Sequence, residues 1–572
     1  MPHVRVGPLV RATSTNTVIL WAELSEHCDV QIHIVPDNLS EDAAVSISTT
    51  TVQVGEHYFI APQVQGLKPS TWYTYSLTPS SDDQNLTTKN DSTLIQCFRT
   101  FDKSVSDTDK DTQRRDLRLA YGSCRKAEKD LSDALCAFGT WLPQHFAQRE
   151  EIWPHLLLLI GDQIYADEPP AEVVQLHPHL RRGARTFEDF CVLYIYAWAS
   201  DPTIQQALAA IPTFMIFDDH EIINNWKVEP AWQNKLLDMG GEQLLIDGLV
   251  AYWVYQGWGN LIWDTSTTHP LLAIMHDAER SGEDALEKLR SCVRADIYQR
   301  ATIRWHYSIP TQPAIFVANA RTERTTVVDQ DPVEVCEPLR IMSREQMQDI
   351  EQWLEQQDFP IFVSSVPILL PPLIGMLQYL TGERLWVTAI YPAPLRWLGK
   401  RLARAQKFVA ARLGFDHWPL YITTWHEFLD LIQQKQREII ILSGDVHFSY
   451  ALAAVSKAQA TKLLQRTRQT KARLYQFVST PLQNDLGEAS ERKVELQALI
   501  THIAYSGLRL HMLPLKSTGT KAHIHRQILF ENTLAFLTLH PESDASYQIK
   551  NEYMSSIDGK LEVVGWTELS PK

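Results

Sequence analysis

Four stretches of the chain are continuous apolar runs that stop at residues able to hold a metal ion. The run LRLAYGSC ends at Cys124. Residues 156–160 lead into Gly161 and Asp162, residues 214–217 into Asp218, Asp219, His220 and Glu221, and residues 439–442 into Ser443, Gly444, Asp445, Val446 and His447. An unbroken apolar run bounded by turn residues predicts a strand buried on both faces, as in a parallel sheet. Open α/β sheets bind their ligands beyond the carboxyl ends of such strands. The pattern therefore predicts one rim to which four strand ends deliver thiolate, carboxylate and imidazole groups.

Ahead of these runs, residues 17–24, 30–35, 51–60 and 72–77 form short β-type segments, with Gly66, Pro69 and Ser70 between the last two, and predict a small antiparallel β-sandwich. Residues 102–116 contain a single apolar side chain, Val105, and read as a linker or surface loop. From residue 117 onward apolar strands alternate with helical stretches, which predicts a layered α/β domain. Further strands are expected at 314–318, 361–364, 475–479, 527–539 and 563–566. Ser343 and Gln346 form a capping-box pattern ahead of Met347, Ile350 and Leu354 at helical spacing. Residues 361–380 are strongly apolar but are interrupted by Pro367, Pro371 and Pro372, so they read as a strand followed by a buried or cleft-lining loop rather than a bilayer span. The expected organisation is an N-terminal β-sandwich at 1–101, a linker at 102–116, a catalytic domain at 117–540 and a C-terminal β extension at 541–572. Within the catalytic domain, 370–413 reads as a lid or membrane-surface insertion.

Composition narrows the function. The chain has 572 residues, 44% hydrophobic and 21% charged, which is ordinary globular usage. With 53 basic and 68 acidic residues, the net charge of −15 supplies no broad footprint for nucleic acid, and an anionic substrate needs local attraction of the kind a bound cation provides. Arg384, Arg396, Lys400, Arg401, Arg404, Lys407 and Arg412 crowd residues 383–413, which read first as a solvated helix face, with a basic amphipathic hairpin on a membrane surface or over the site as the alternatives. The seven cysteines are scattered, without CxxC spacing, which argues against a disulfide framework or a zinc ribbon. The N-terminus carries neither a signal-peptide pattern nor a twin-arginine pair, so the expected location is the cytoplasm.

At the rim, Gly161 lets the backbone turn so that Asp162 projects from its strand end, where one carboxylate can bridge two cations, and Tyr165 follows three residues on. Adjacent Asp218 and Asp219 repel unless a cation or hydrogen bonds compensate. His220 has the chemistry of a leaving-group acid, and Asn224 or Asn225 could add a neutral oxygen. On an extended segment Asp445 and His447 would point to the same side and bind one ion, and Cys124 could ligate as a thiolate.

The motifs GSC at 122–124, GDQIYAD at 161–167, DDHE at 218–221 with Asn224, Asn225 and Trp226, and SGDVHFS at 443–449 resemble the PhoD-like alkaline phosphatase family of metallophosphoesterases, in order and spacing, over residues 117–480. The amino-terminal VGPLVRAT and VILWAEL segments resemble that family's β-sandwich domain. The resemblance implies a four-layer α/β/β/α catalytic sandwich. It implies one ion, Fe³⁺, on Cys124, Asp162, Tyr165 and Asp445, and further ions, Ca²⁺ or other divalent metals, on Asp162, Asn224 and the His447 region. Asp219 and His220 would stand where the wider superfamily carries an Asn-His pair. One departure is Asn319-Ala320-Arg321-Thr322-Glu323-Arg324, where the family pattern begins with Asp; the Asp-x-Trp element persists as Asp416-His417-Trp418.

The expected reaction is hydrolysis of a small phosphoester, a metal-bound hydroxide attacking phosphorus in line, with Arg321 or Arg125 neutralising the non-bridging oxygens and His220 assisting departure. The alternatives are a phosphodiesterase or phospholipase D-like activity of the same site, and a metal-binding scaffold without turnover. No obligate protein partner is indicated, and no P-loop occurs.

Overall fold

Alternate side chains of three neighbouring strands, Ile315–Ala318, Ile361–Ser364 and Ile439–Ser443, enter two different cores. Val317, Val363 and Leu442 join the largest apolar cluster, while Phe316, Phe362 and Ile441 join a second one. A strand buried on both faces cannot show polar alternation, which is why these segments read as unbroken apolar runs. The computed structural model describes residues 2–37, 44–79, 94–103, 115–128, 132–224, 241–264, 268–299, 303–324, 340–381, 397, 401, 416–435, 438–456, 473–516, 527–542 and 546–570.

Two large sheets carry the site. The first has six strands in the order Thr213–Ile216, Leu156–Ile160, Leu117–Gly122, Thr533–Pro541, Tyr547–Ile557 and Lys560–Leu569; its first three strands are parallel and the rest antiparallel. The second has nine strands, with a parallel set Ile315–Ala318, Ile361–Ser364, Ile439–Ser443 and Arg473–Val478 at its heart. Helices Arg344–Glu355 and Ile422–Lys435 supply Ile350, Leu354, Trp425 and Phe428 to the second core, behind this sheet. The chain is a mixed α/β protein with several sheets.

Two smaller antiparallel sheets precede them, one built around Val4–Thr13 and Thr17–Leu24, the other around Asp29–Pro36 and Trp72–Pro79. Val10, Val18 and Leu20 from one and Ile32, Tyr75 and Phe98 from the other fill a common core. The opposite face of the first sheet joins the main core through Val6, Leu9, Ile19 and Trp21. Strand Val4–Thr13 is buried at nine of its ten positions, so it lacks the period-two signal that marks a half-exposed strand. Buried Arg11 crosses from this strand to accept-only partners in the α/β unit: the carbonyls of Tyr255 and Gln256 and the Asn260 side-chain oxygen.

Several segments differ from the sequence expectation for local reasons. Residues 51–60 are two strands, Val52–Val54 and His57–Ile60, because Gly55 turns between them at φ +63°. Residues 527–539 divide between sheets: Ile528–Leu529 pairs in the nine-stranded sheet and Thr533–Pro541 in the six-stranded one. After strand Ile361–Ser364 the apolar segment is buried at Val366, Ile368, Leu369 and Leu370 and then forms helix Pro372–Thr381, its last proline seated at the first helical position, where a missing N–H costs nothing. Among the described residues no helix is long and apolar enough to cross a membrane. Ser343 caps helix Arg344–Glu355, its Oγ accepting from the Gln346 amide at 3.0 Å. The reciprocal half of the box is absent because the Gln346 side chain is bonded to both backbone groups of Asn319. Glu323 accepts from the Ser343 amide in its place.

Between the small sheet that contains Thr17–Leu24 and helix Phe187–Ala199, His57 is held by carboxylates on both ring nitrogens, Glu23 at 2.7 Å and Glu188 at 2.8 Å, while Tyr255 and Arg5 also donate to Glu23. Burial lowers the His57 pKa, but the two carboxylates outweigh it and the net shift is upward. A His raised in the folded state contributes its stabilisation fully below its unfolded value of about 6.5 and loses it as pH rises through the folded value. His57→Gln is therefore expected to lower stability by about 1.5–3 kcal/mol at pH 6, the cost of hydrogen bonds to charged groups. The deficit should shrink as the pH rises above neutrality, as read by denaturant titration of both proteins across pH; a deficit independent of pH would rule out the ionised contact.

Candidate metal centre

The two sheets meet at the carboxyl ends of their parallel strands, and the contact is close enough to dictate residue size. A Cβ on Gly444 would lie 2.1 Å from Ser123 Oγ and 3.1 Å from the Ile160 carbonyl of the other sheet. Ser123 joins both sides, its Oγ accepting from the Asp445 amide at 3.2 Å and its carbonyl from the Leu482 amide at 2.7 Å. Gly161, at φ +91°, abuts Asp218, where a Cβ would approach the Asp218 Cβ to 2.6 Å.

Beyond these strand ends the backbone takes up a conformation that side chains disfavour. Cys124, Asp162, Asp445 and His447 have φ of +58°, +53°, +70° and +59°. Non-glycine residues in the left-handed region cost of order 1–3 kcal/mol each, and such residues cluster where surroundings hold functional groups in place. Here the surroundings are hydrogen bonds. The Glu221 carboxylate accepts from the amides of Asp162 (2.9 Å), Gln163 (2.6 Å) and Asp218 (2.7 Å), tying two strand ends together, and Gln256 donates to it as well. Burial raises the Glu221 pKa to about 7 while these donors pull it down.

The structure brings Cys124, Asp162, Asp219, His220, Asp445 and His447 to one place. Three sets of potential ligand atoms, each within 4.8 Å of one another, share Asp162: Cys124 and His447 with it, Asp219 and His220 with it, and Asp218, Asp219 and Asp445 with it. Asp162 thus stands where a carboxylate can bridge. Asp445 and His447 fall into different sets. The extended geometry that would align them is replaced by a turn, both residues having positive φ and the Val446 amide bonding to the Gly444 carbonyl at 2.9 Å. Asp218, which the sequence marks only as a neighbour of Asp219, belongs to the cluster in its own right. Asn224 is exposed and donates its backbone N–H to Asp167 at 2.8 Å; Asn225 and Trp226 lie outside the described residues.

Arg321 is buried among the acids. It bonds Asp218 and Asp416, reaches Asp445 Oδ1 at 3.2 Å and lies 3.5 Å from Asp219. Its fork is committed to carboxylates. Arg125 hydrogen-bonds the Asp162 carbonyl through its backbone, but its side chain is engaged with Asp133 (2.8 Å) and the Ala197 carbonyl (2.8 Å). Arg324 bonds Asp416 at 2.6 Å, so Asp416 couples the two arginines, and its pKa is lowered, burial being outweighed by them. The sequence names this Asp-His-Trp element without indicating that role.

The donor set fits cations. Cys124 is pushed up to about 12 by burial and then by Asp445, so only a bound metal would make it a thiolate. Burial, then Cys124, raises Asp162 well above the carboxylate range, and burial raises Asp218 likewise despite Arg321. Each pair of carboxylates at such separations repels by about 3 kcal/mol at an effective dielectric of about 20, so the cluster cannot be fully ionised without added positive charge. Tyr165 Oη is buried beside Asn484 with no hydrogen bond of normal geometry, its ring 4.3 Å from that of His220. His447 donates from Nδ1 to the Asn484 carbonyl at 2.9 Å, and burial keeps it neutral; that fixes the tautomer in which Nε2 carries the free lone pair a metal requires.

Residues 119–256 match the family model described as PhoD-like phosphatase. This segment contains three of the four strand ends; the fourth, with Asp445 and His447, is brought in by the fold. Residues 1–98 match a domain of unknown function, DUF7800. No curated protein matches the chain. A solved structure described as "Structure of PhoD" is similar over 100% of this chain and 92% of its own, at 13% identity and a TM-score of 0.59, which is a likeness of fold. The structure of GAP50, described as the anchor in the inner membrane complex of Plasmodium, covers 80% of this chain and 90% of its own at 9% identity and a TM-score of 0.31.

Gly444→Ala tests the close approach of the sheets at this site. Its Cβ would collide with backbone as well as Ser123, so the variant is expected to lose several degrees of thermal stability and most bound metal together. A variant that melts and binds metal like the wild type would remove the packing argument.

Proposed function

We propose that the protein is a metal-dependent phosphoester hydrolase of the PhoD-like kind, with Asp162 as the bridging ligand at the centre of the site. The observation that carries this reading is the sharing of Asp162 by all three sets of ligand atoms, within a domain that matches the phosphatase family model. Cys124, Tyr165, Asp162 and His447 form the side whose anionic thiolate and phenolate donors suit Fe³⁺; Asp162, Asp218, Asp219 and Asp445 form the oxygen-rich side, which suits Ca²⁺ or another divalent ion. When bound, such ions supply Lewis acidity and lower the pKa of water to near 7.

The chain's own residues do the rest. Arg321 and Arg324 hold Asp218, Asp416 and Asp445 in register, so these carboxylates meet a cation already aimed. Glu221 fixes the amides on either side of the bridging Asp162. His220 is the proposed acid for the departing alkoxide. Asp167 accepts from its Nδ1 at 2.8 Å, leaving Nε2 as the proton-carrying atom toward the site. Burial opposes its charge, but Asp167, Asp162 and Asp219 carry its pKa up to about 10 in the metal-free cluster. With cations held by Asp162 and Asp219, the pull of those carboxylates on His220 would be offset, and its imidazolium would move toward the range where it can give up its proton.

The proposed substrate is a small phosphoester rather than a polynucleotide, in keeping with the net charge of −15. Cytoplasmic location remains part of the proposal, supported by free thiols at all six described cysteines. A peripheral membrane contact through 366–413 rests on the basic sequence of 383–413, which, apart from Trp397 and Arg401, lies outside the described residues. The opposed cores on the two faces of the nine-stranded sheet support a four-layer α/β/β/α arrangement of the catalytic unit.

Asp162→Asn is expected to abolish turnover of p-nitrophenyl phosphate and to lower bound iron and calcium as measured by elemental analysis. Turnover equal to wild type in a metal-verified sample would refute the assignment. Running bis-p-nitrophenyl phosphate alongside the monoester separates phosphatase from phosphodiesterase, and metal without turnover of either would favour the scaffold alternative.

A further inference from the structure

We propose that His417 is a positioning residue for the metal centre, holding the Asp445 carboxylate from outside the ligand set while Gln378 fixes which imidazole nitrogen faces it. The inference rests on the reading of the cluster as a metal centre and adds to it a residue from a part of the chain without strand-end ligands.

Asp445 sits at the end of its strand in a left-handed conformation, and its carboxylate is held by neighbouring side chains. Arg321 Nη2 lies 3.2 Å from Oδ1, and His417 Nε2 lies 2.8 Å from Oδ2. The other ring nitrogen of His417 is 2.7 Å from Gln378 Nε2. With the Gln378 amide nitrogen turned to the ring and its Oε1 buried without a hydrogen-bond partner, Nδ1 accepts and the ring proton sits on Nε2, directed at Asp445. A carboxylate has about four lone-pair directions; with one on each oxygen taken by Arg321 and His417, the others stay available to a cation. Metal-bound ligands are commonly oriented by hydrogen-bonded partners of this kind, whose loss weakens metal binding.

His417 is itself held on both sides. Asp416 pairs with Arg321 and Arg324, and Trp418 Nε1 donates to Ser364 Oγ at 3.0 Å, so the imidazole between them has a fixed backbone. Gln378, 1% exposed, belongs to helix Pro372–Thr381, the apolar segment that follows strand Ile361–Ser364. That helix approaches Tyr505 through Gly375, where a Cβ would come within 2.4 Å of the tyrosine oxygen. The Gln378–His417–Asp445 chain is thus the path by which the apolar segment supports the metal site.

The test compares the full-length wild type with His417→Ala, His417→Gln and Gln378→Leu, each purified without chelator, by iron and calcium content and by the rate of metal loss to EDTA. His417→Ala is expected to weaken metal retention about 10–100-fold, with the melting temperature of the metal-stripped protein close to wild type. His417→Gln, whose amide can donate to Asp445 and accept from Gln378, should restore most of the retention, and Gln378→Leu should fall between. Retention in His417→Ala equal to wild type overturns the inference, as does a His417→Gln protein no better than His417→Ala. Should His417→Ala fail to fold, Gln378→Leu carries the comparison, because it leaves His417 in place; wild-type retention there overturns the tautomer argument. A wild type that itself binds no metal would instead overturn the metal-centre reading.

Discussion

Burying like charges is the constraint from which the rest of this site follows. Asp162, Asp218, Asp219, Asp416 and Asp445 converge where two sheets meet, and Arg321 and Arg324 are the guanidinium groups set among them. Breaking a buried ion pair by removing one partner leaves a charge stranded and is strongly destabilising. Each arginine is accordingly gripped from several sides, Arg321 by four carboxylates. Two guanidinium groups against five acids, with the His220 imidazolium shared with Asp167, still leave the cluster short of positive charge. The deficit is met either by protonation, the direction in which Asp162 and Asp218 are shifted, or by bound metal. A cation that binds the fold and not the unfolded chain also stabilises it by mass action, so stability and activity of such a protein share one ledger.

The same constraint accounts for the backbone. Four of the potential metal-ligating residues, Cys124, Asp162, Asp445 and His447, occupy the left-handed region at the seam. Glycines stand beside them at 161 and 444 because the opposite strand end leaves no room for a Cβ. The Glu221 carboxylate then receives three amides that would otherwise be buried without partners. Polar satisfaction, local strain and close packing are therefore parts of one arrangement.

Much of this was legible in the chain because fully buried parallel strands advertise themselves as apolar runs and the residues that cluster at the rim follow directly after them. Cys124, Asp162, Asp219, His220, Asp445 and His447 were found that way. What stayed hidden has physical reasons. Strand Val4–Thr13 is covered on both faces and shows no alternation. Segment 527–539 looks like one strand because periodicity does not reveal a crossing between sheets. Gln378 and His417 carry no strand-end signature, since their pairing depends on a helix and a loop 39 positions apart meeting in space. The i, i+2 rule misplaced Asp445 and His447 relative to each other because it assumes an extended chain where the backbone turns.

Asn319, the neutral residue at the first position of the segment leading to Arg321, shows how far local structure can explain a departure from a family pattern. Its Oδ1 accepts from the amides of Arg321 and Thr322, at 3.1 and 3.2 Å, and its Nδ2 donates to Thr322 Oγ1. An aspartate could accept the two amides but could not donate. It would also bury one more negative charge beside a cluster already short of cations, at a position that is itself fully buried. Gln346 closes the arrangement from the neighbouring helix by bonding both backbone groups of Asn319. In this chain the turn before Arg321 is thus organised by neutral amides, and the positive charge of the guanidinium is left undivided for the carboxylates of the seam.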